Sequence, residues 1–465
     1  MKKAKNPNLM KWLKWAGVAV AAVVLILAIV PFFISLDDAI PRIEREASAR
    51  LMQPVKIGGL RAGGLPLPHV TITGISVGQN EDLQVGKVTV TPDLLSLLGT
   101  TKVLRSVEIE RLVVTQKAID KLAALGGSAP QPGAPAEPQA VRVESIRLDG
   151  AVLKLEKGSF GPFDARLSLD DGGNLESALL TTSDGKLKAR VKPEGGRYLI
   201  EASAKDWKLP AGAAIQFDEL IVKGVATPQD ATFSDVRARL YGGAVNGNVH
   251  LAWHKGMQMK GDAEVSQVEI GSLLQALGKP RSMSGRLSAK AEFSSNAPGA
   301  AQIADNLRLD TPFDIQNGVL HGVDISKAAV SLINKEAGKG GETRFDKLSG
   351  HLAIDRGTRR LTQLNIASGS LSANGHVTIA PSDALSGRIN ANVKGVTLAT
   401  GAVPLNVSGT LSSPRVFPTG GTVAGAAAGT AVLGPGVGTA VGARVGQWTE
   451  GLTEGIFGKK KETKK

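Results

Sequence analysis

The stretch LQVGKVTVTPDLLSLLGTTKVLRSVEIERLVV, residues 83–114, carries the pattern that decides the fold of this chain. Apolar and polar residues alternate in it, so that Val88 and Val90, and later Val107 and Ile109, stand two positions apart. A period of two is typical of a β-strand with one apolar face. The interruption DLLSLL at residues 93–98 reads as a short helix. The stretch therefore predicts two strands and a short helical connection.

The same alternation continues on both sides of this stretch, in segments such as VRVESIRL, VNGNVHLAW and RLSAKAEF. Only short segments have helical spacing, at residues 117–125, 271–278 and 324–334. This predicts a mainly β protein with an antiparallel meander of roughly 20–30 strands. At about 4.8 Å per strand, such a sheet extends on the order of 100 Å. Periodicity leaves two solutions open: a closed sandwich or barrel, or a trough whose apolar inside is covered by something else.

Composition and charge exclude several function classes. The chain has 465 residues and no cysteine, which excludes disulfides, Cys-ligated metals and a thiol nucleophile. The net charge of +13 resides mainly in the two lysine-rich tails. Because the body is nearly balanced and aromatic residues make up 4% of the chain, nucleic-acid binding is not expected.

An uncharged stretch at residues 16–34 has the length of a transmembrane helix. Five lysines precede it within residues 1–15, and Asp37 and Asp38 follow it. The positive-inside rule then predicts a cytoplasmic basic tail, a single-pass membrane anchor and a body on the outer side of that membrane. A cleaved signal peptide is the alternative.

Two further segments flank the β body. Residues 36–52 form a predicted amphipathic helix with Ile40, Ile43 and Leu51 on one face. The tail at residues 419–465 contains glycines at four-residue spacing between 425 and 446, the pattern that lets membrane helices approach closely. A membrane-dipping hairpin and a flexible tail are both compatible with this composition.

No motif supports catalysis. GISVG at residues 74–78 matches the nucleophile-elbow spacing, but it continues an alternating strand where a helix would be needed. His250 and His254 are four residues apart, which on a strand is about 13 Å and too far for one metal. We therefore predict no catalytic, cofactor-binding or metal-binding residues, and a protein that is not an enzyme.

The order of short motifs resembles the AsmA family of Gram-negative envelope proteins. At the front, PVKIGGL, LPLPHVTITGISVG and the stretch quoted first resemble the family's N-terminal module. At the back, PFDIQNGVLHGVDISKAAVSLIN, LSGRINANVKG and PLNVSGTLSSPRVFP resemble its C-terminal module. The predicted organisation after the anchor is an N-terminal module (35–125), a Pro/Gly/Ala linker (126–140), a middle β region (141–298), a C-terminal module (299–418) and the tail.

The resemblance implies a long curled sheet, a taco-shaped β trough of the lipid-transfer kind, in a protein of outer-membrane biogenesis. It implies a periplasmic body anchored in the inner membrane and no cofactor. The partners it implies are phospholipids and the inner membrane, with outer-membrane assembly or transport proteins as further candidates. The alternative function is an assembly factor that modulates outer-membrane protein insertion through protein contacts. Where lipid would enter, the predicted lip is Ile40, Ile43 and Leu51. The predicted lipid-groove residues are Val70, Ile72, Val85, Val88, Val90, Val107 and Ile109.

Overall fold

The computed structural model describes residues 37–65, 67–79, 82–118, 141–155, 158–210, 212–253, 256–299, 302–331, 336, 338–394, 402–424, 426, 443–444 and 447. The predicted anchor at residues 16–34 and the linker at 126–140 lie outside them. Within the described residues, no helix is both long enough and apolar enough to cross a membrane.

The protein is mainly β, as the alternation predicts, and the 23 strands of its described residues belong to one sheet that is not closed. The first twelve strands are β1 (Val55–Lys56), β2 (Gly59–Gly63), β3 (His69–Val77), β4 (Leu83–Pro92), β5 (Lys102–Thr115), β6 (Val141–Val143), β7 (Ser145–Leu155), β8 (Gly158–Leu169), β9 (Leu175–Thr182), β10 (Leu187–Glu194), β11 (Arg197–Lys208) and β12 (Gln216–Ala226). The others are β13 (Asp230–Leu240), β14 (Gly243–Ala252), β15 (Met257–Glu269), β16 (Met283–Ala297), β17 (Arg308–Val323), β18 (Lys339–Asp355), β19 (Thr358–Ala367), β20 (Leu371–Ile379), β21 (Leu385–Val393), β22 (Val403–Thr410) and β23 (Ser413–Pro418).

Among the described residues, the short helices α1 (Ile40–Leu51), α2 (Ile270–Ala276) and α3 (Ile325–Val330) accompany these strands. They coincide with three of the predicted helical segments. Two 3-10 turns lie at Asp37–Ala39 and Ser96–Leu98. The helix predicted at residues 93–98 is therefore only a 3-10 turn at its last three residues.

Contacts divide the chain into two compact units. The first comprises Met1–Ser203 with Pro210–Gly212 and Val225–Pro228, and the second comprises the remaining residues. In the first unit, β1 and β2 both pair with β3, and β3, β4 and β5 follow in antiparallel order. The strands β7 to β10 are also antiparallel in chain order.

The prediction of a purely antiparallel sheet is wrong at one place, because β6 and β7 run parallel to β5. Parallel neighbours need a connection of about a dozen residues or more. Residues 116–140, between β5 and β6, provide that length. The chain can therefore return to the end of the sheet where β5 began before it starts the next strand.

In the second unit, β13 to β23 form an antiparallel meander in chain order. Tight two-residue turns connect several of these strands. Tyr241 and Gly242 join β13 to β14, and Arg356 and Gly357 join β18 to β19, all four with positive φ. Positive φ at both central residues is the turn geometry that matches the twist of a hairpin.

The hydrophobic core of the second unit lies where α3 packs against β18 and β21 to β23. Asp324 caps α3 by accepting a hydrogen bond from the Lys327 backbone N–H at 2.8 Å. Leu405 and Ala391, on neighbouring strands beneath the helix, are 0% exposed. This end of the sheet is therefore a packed core.

Described parts of the C-terminal tail belong to the same core. Residues 420–424 are helical, and Thr419 and Thr422 are fully buried with their hydroxyls 3.0 Å apart. Ala426 and Ala443 are members of the core cluster. At these positions the tail packs on its own sheet. Most of the glycine-rich segment for which a membrane hairpin or a flexible tail is predicted lies outside the described residues.

Candidate functional site

Two rows of apolar side chains cross the sheet of the first unit on one face. Directly opposite residues on neighbouring strands share a face, so the register traces each row from β2 to β10. The first row is Ala62, Val70, Val90, Val107, Ile146, Leu167, Ala178 and Val191. The second row is Leu60, Ile72, Val88, Ile109, Leu148, Ala165, Leu180 and Ala189. We call the surface formed by these rows the apolar face.

The apolar alternation changes phase along a line that crosses these strands. In β4 the apolar positions are Leu83 and Val85 before Gly86, but Val88 and Val90 after it. In a regular strand this change would turn Val85 to the opposite face. On the neighbouring strands β3, β5 and β7, the corresponding residues have positive φ and are Gly74 (63°), Arg111 (54°) and Gly150 (66°).

The left-handed residues keep the apolar side chains on one face. Leu112 and Ala151, from one side of this line, contact the same cluster as Leu148 and Ala165 from the other side. Val85 pairs with Leu112. It therefore extends the apolar face beyond the two rows.

The structure brings all seven predicted lipid-groove residues together on the apolar face. Val85 is buried, and the other six are half-buried. Sequence reasoning missed the continuation of this face past the linker, where the half-buried Ile146, Leu148 and Leu167 pair into the same rows. The alternation in VRVESIRL (141–148) is the signal for Ile146 and Leu148, and the alternation in ARLSL (165–169) is the signal for Leu167. Their assignment to lipid binding stays a prediction.

The opposite face of the same strands is polar. Lys87 and Glu110 form an ion pair at 2.7 Å across β4 and β5, and Glu108 lies 3.7 Å from Arg147 across β5 and β7. Opposite charges at directly paired positions support the register. The sheet of the first unit is therefore amphipathic, and only one of its faces needs an apolar cover.

The apolar face is wide across the strands. Eight strands carry the two rows, so seven spacings of about 4.8 Å make the face roughly 34 Å wide across the strands. This exceeds the thickness of one lipid leaflet, about half of the 30 Å hydrocarbon core. The face can therefore accommodate extended acyl chains.

The predicted lip residues lie on α1, which is held to the chain that follows it. Glu44 accepts a hydrogen bond from the Ile57 N–H at 2.7 Å, and Ser48 accepts one from the Val55 N–H at 2.9 Å. Ile40, Ile43 and Leu51 are half-buried. Packing of α1 beside β1 accounts for this burial, and a part in lipid entry stays a prediction.

The second unit matches a known family over strands β13 to β19. Residues 227–364 match the model of the AsmA family. No curated protein and no solved structure gives a significant match to the chain. The resemblance predicted from the sequence is confirmed over this range, and an AsmA match points to a role in the cell envelope and its outer membrane.

The AsmA-matched segment also contains a groove of about 960 Å³ across β14 to β18, lined by both charged and apolar residues. Its charged and imidazole side chains are His250, Lys260, Asp262, Glu292, Arg308, Asp310 and Asp355. Several of these groups already have partners, since Arg308 pairs with Asp355 at 3.3 Å and His351 contacts Asp310 at 2.8 Å. Sequence reasoning did not identify this groove, although its charged residues occupy polar positions of the alternation.

The motifs examined for catalysis have structural roles in the described residues. Gly74 and Ser76 lie within β3, as the alternation predicts. His250 lies on β14, where its Nδ1 is 2.9 Å from the Thr232 hydroxyl, and His254 lies outside the described residues. The described part of the chain contains no group of three or more His, Cys, Asp or Glu that could hold a metal ion.

Proposed function

We propose that this protein is a non-enzymatic envelope protein that holds phospholipid acyl chains against the apolar face. In this role it assists lipid transport or homeostasis between the inner and outer membranes. The observation that carries the proposal is the pair of apolar rows, which contain no charged residue across eight strands. The AsmA match supports the envelope setting.

The energetics of an amphipathic sheet favour lipid as the cover. Each buried methylene of an acyl chain contributes about 0.8 kcal/mol, and the half-buried valines and leucines gain in the same contact. A head group can stay in water at the edge of the sheet, so no charged side chain has to bind it. In this proposal the sheet of the first unit curls round the chains as a trough.

The proposed location follows from the sequence. Residues 16–34 anchor the chain in the inner membrane, residues 1–15 are cytoplasmic, and the body is periplasmic. Lipid leaving the outer leaflet of that membrane then reaches the apolar face without crossing water over a long distance.

Site-specific photo-crosslinking on the full chain in its native membrane tests the proposal. Benzoylphenylalanine replaces Val107 on the apolar face or, as the matched control, Glu108 on the polar face of the same strand. We expect phospholipid adducts by mass spectrometry from the Val107 position and none from the Glu108 position. Equal yields at both positions, or no lipid adduct at Val107, would overturn the proposal, and protein adducts at Val107 would favour the assembly-factor alternative.

A further inference from the structure

Exposed leucines concentrate in two loops of the first unit. The loop at residues 93–101, between β4 and β5, carries Leu94, Leu95 and Leu98, which are 52%, 81% and 91% exposed. The loop at residues 64–68, between β2 and β3, carries Leu65 and Leu67, which are 53% and 48% exposed. Water contact of this extent for five leucines in two short loops is the pattern of an interaction surface.

The register brings these loops to the same edge of the sheet, the edge that is formed by the ends of the strands. Gly63 pairs with His69 at the start of β3, and Val70 pairs with Val90 near the end of β4. At the start of β5, Lys102 pairs with Val141, which is 50% exposed. Six of the twelve exposed large apolar side chains in the described residues therefore lie along this one edge, which we call the leucine edge: Leu65, Leu67, Leu94, Leu95, Leu98 and Val141.

The loop that carries three of these leucines has a defined conformation. Ser96 donates from its hydroxyl to the Asp93 carbonyl at 2.7 Å and accepts from the Val103 N–H at 2.8 Å. Its own N–H donates to the Asp93 carboxylate at 3.1 Å. These bonds hold the 3-10 turn in place, so the exposed leucines are presented outward by an ordered turn.

The chain enters the first unit next to the leucine edge. The 3-10 turn at Asp37–Ala39 contacts β2, the strand that leads into the loop at 64–68. The following helix α1 then runs towards β1, which pairs with the far end of β3 at Val77. The predicted anchor ends at Ile34, and the three residue steps from there to Asp37 span at most about 11 Å.

The charges at the edge divide it into two parts. Beside the leucine loops, Lys102 supplies positive charge, and the charge of Arg105 is balanced by Asp93 at 3.0 Å. Further along the same edge, the loop at residues 170–174 between β8 and β9 is acidic, with Asp170 and Asp171, of which Asp171 pairs with Arg142 at 2.9 Å. Cationic side chains next to leucines suit a membrane surface with anionic lipids, whereas an acidic loop does not.

We propose that the leucine edge inserts into the periplasmic surface of the lipid bilayer that holds the anchor. The leucines enter the boundary between head groups and acyl chains, and Lys102 and Arg105 remain at head-group level. This contact brings the ends of β3 to β5, and with them one end of the apolar face, onto the membrane. The inference rests on the proposed membrane anchor. It adds a membrane-docking surface, and the proposed lipid binding does not depend on that surface.

Fluorescence of single-cysteine variants tests the inference on the full chain, because the natural sequence has no cysteine. Leu95→Cys and Leu98→Cys are labelled with an environment-sensitive nitrobenzoxadiazole probe and reconstituted in vesicles of phosphatidylethanolamine and phosphatidylglycerol. Asp171→Cys, in the acidic loop, and Ser183→Cys, exposed at the opposite edge, are the matched controls. We expect probes at positions 95 and 98 to lose emission when the vesicles contain lipid with a doxyl quencher near the head group, and the control probes to keep theirs.

Two results would overturn the inference. One is emission at positions 95 and 98 that is as insensitive to the quencher as emission at position 183. The other is equal quenching at all four positions, which would indicate adsorption without a specific edge. Crosslinking at Val107 separates this inference from the proposed function, since lipid adducts there with no quenching at position 95 would refute the docking surface alone.

Discussion

The substitution Val88→Asp is the most direct perturbation of the apolar face. Val88 lies in the middle of its row, with Ile72 paired on one side and Ile109 on the other. It is half-buried, so a carboxylate at this position can still reach water when no lipid is bound. The cost to the lipid-free fold is then limited to lost apolar contacts, about 1–2 kcal/mol.

Bound acyl chains would remove that water. Burying a polar group without a hydrogen-bond partner costs about 1–3 kcal/mol in protein mutational data, and an ionised group costs more. A central value of about 2 kcal/mol corresponds to a roughly 30-fold loss of lipid affinity, since each 1.4 kcal/mol is tenfold. We therefore expect a loss of lipid that is much larger than the loss of stability.

The assay combines Val88→Asp with the photo-crosslinker at position 107 and measures the yield of lipid adduct. Thr71→Asp is the matched control, because Thr71 lies on the polar face and pairs with Arg61. Val88→Ile preserves the apolar character at the test position. Circular dichroism confirms that each variant is folded. A folded Val88→Asp protein with an unchanged adduct yield would refute the reasoning, as would an equal loss in Thr71→Asp.

Three further predictions concern the second unit. Leu405→Ala should lower the free energy of unfolding by about 2–5 kcal/mol in denaturant titrations, because Leu405 is 0% exposed in the core. As the control, Leu179→Ala at an exposed position of the first unit should change the free energy of unfolding by less than about 0.5 kcal/mol. Ala426→Asp should lower the melting temperature, because it places a carboxylate among the core side chains; an unchanged melting temperature would mean that the tail does not pack there. Hydrogen bonds from Lys279, and next from Arg359, lower the pKa of Asp383 below its ordinary value of 3.8. Asp383→Asn should therefore reduce stability by about 1 kcal/mol at pH 7, and thermal melts should show this difference disappearing as the pH falls below 3.8; a difference that persists in acid would contradict the ion-pair explanation.

The sequence by itself determined the mainly β fold, three of its helices and the residues of the apolar face on β3 to β5. Alternation is a local property, since neighbouring side chains of a strand point to opposite faces whatever the strand pairs with. Val70, Ile72, Val88, Val90, Val107 and Ile109 could therefore be selected from spacing alone. The order of motifs at the two ends of the body likewise led to the AsmA family, whose model matches residues 227–364.

Only the tertiary structure decided which segments meet. The parallel pairing of β5 with β7 depends on how residues 116–140 return along the sheet, and no strand pattern contains that path. The sequence shows that the apolar alternation changes phase at Gly86. Only the left-handed residues on the neighbouring strands show that the apolar face continues across this change. The leucine edge depends on the register of two hairpins and of the parallel pair β5–β6, and the burial of Ala426 depends on the packing of the tail into the core of the second unit. Pairing and burial are long-range properties, and a period along one strand carries no information about them.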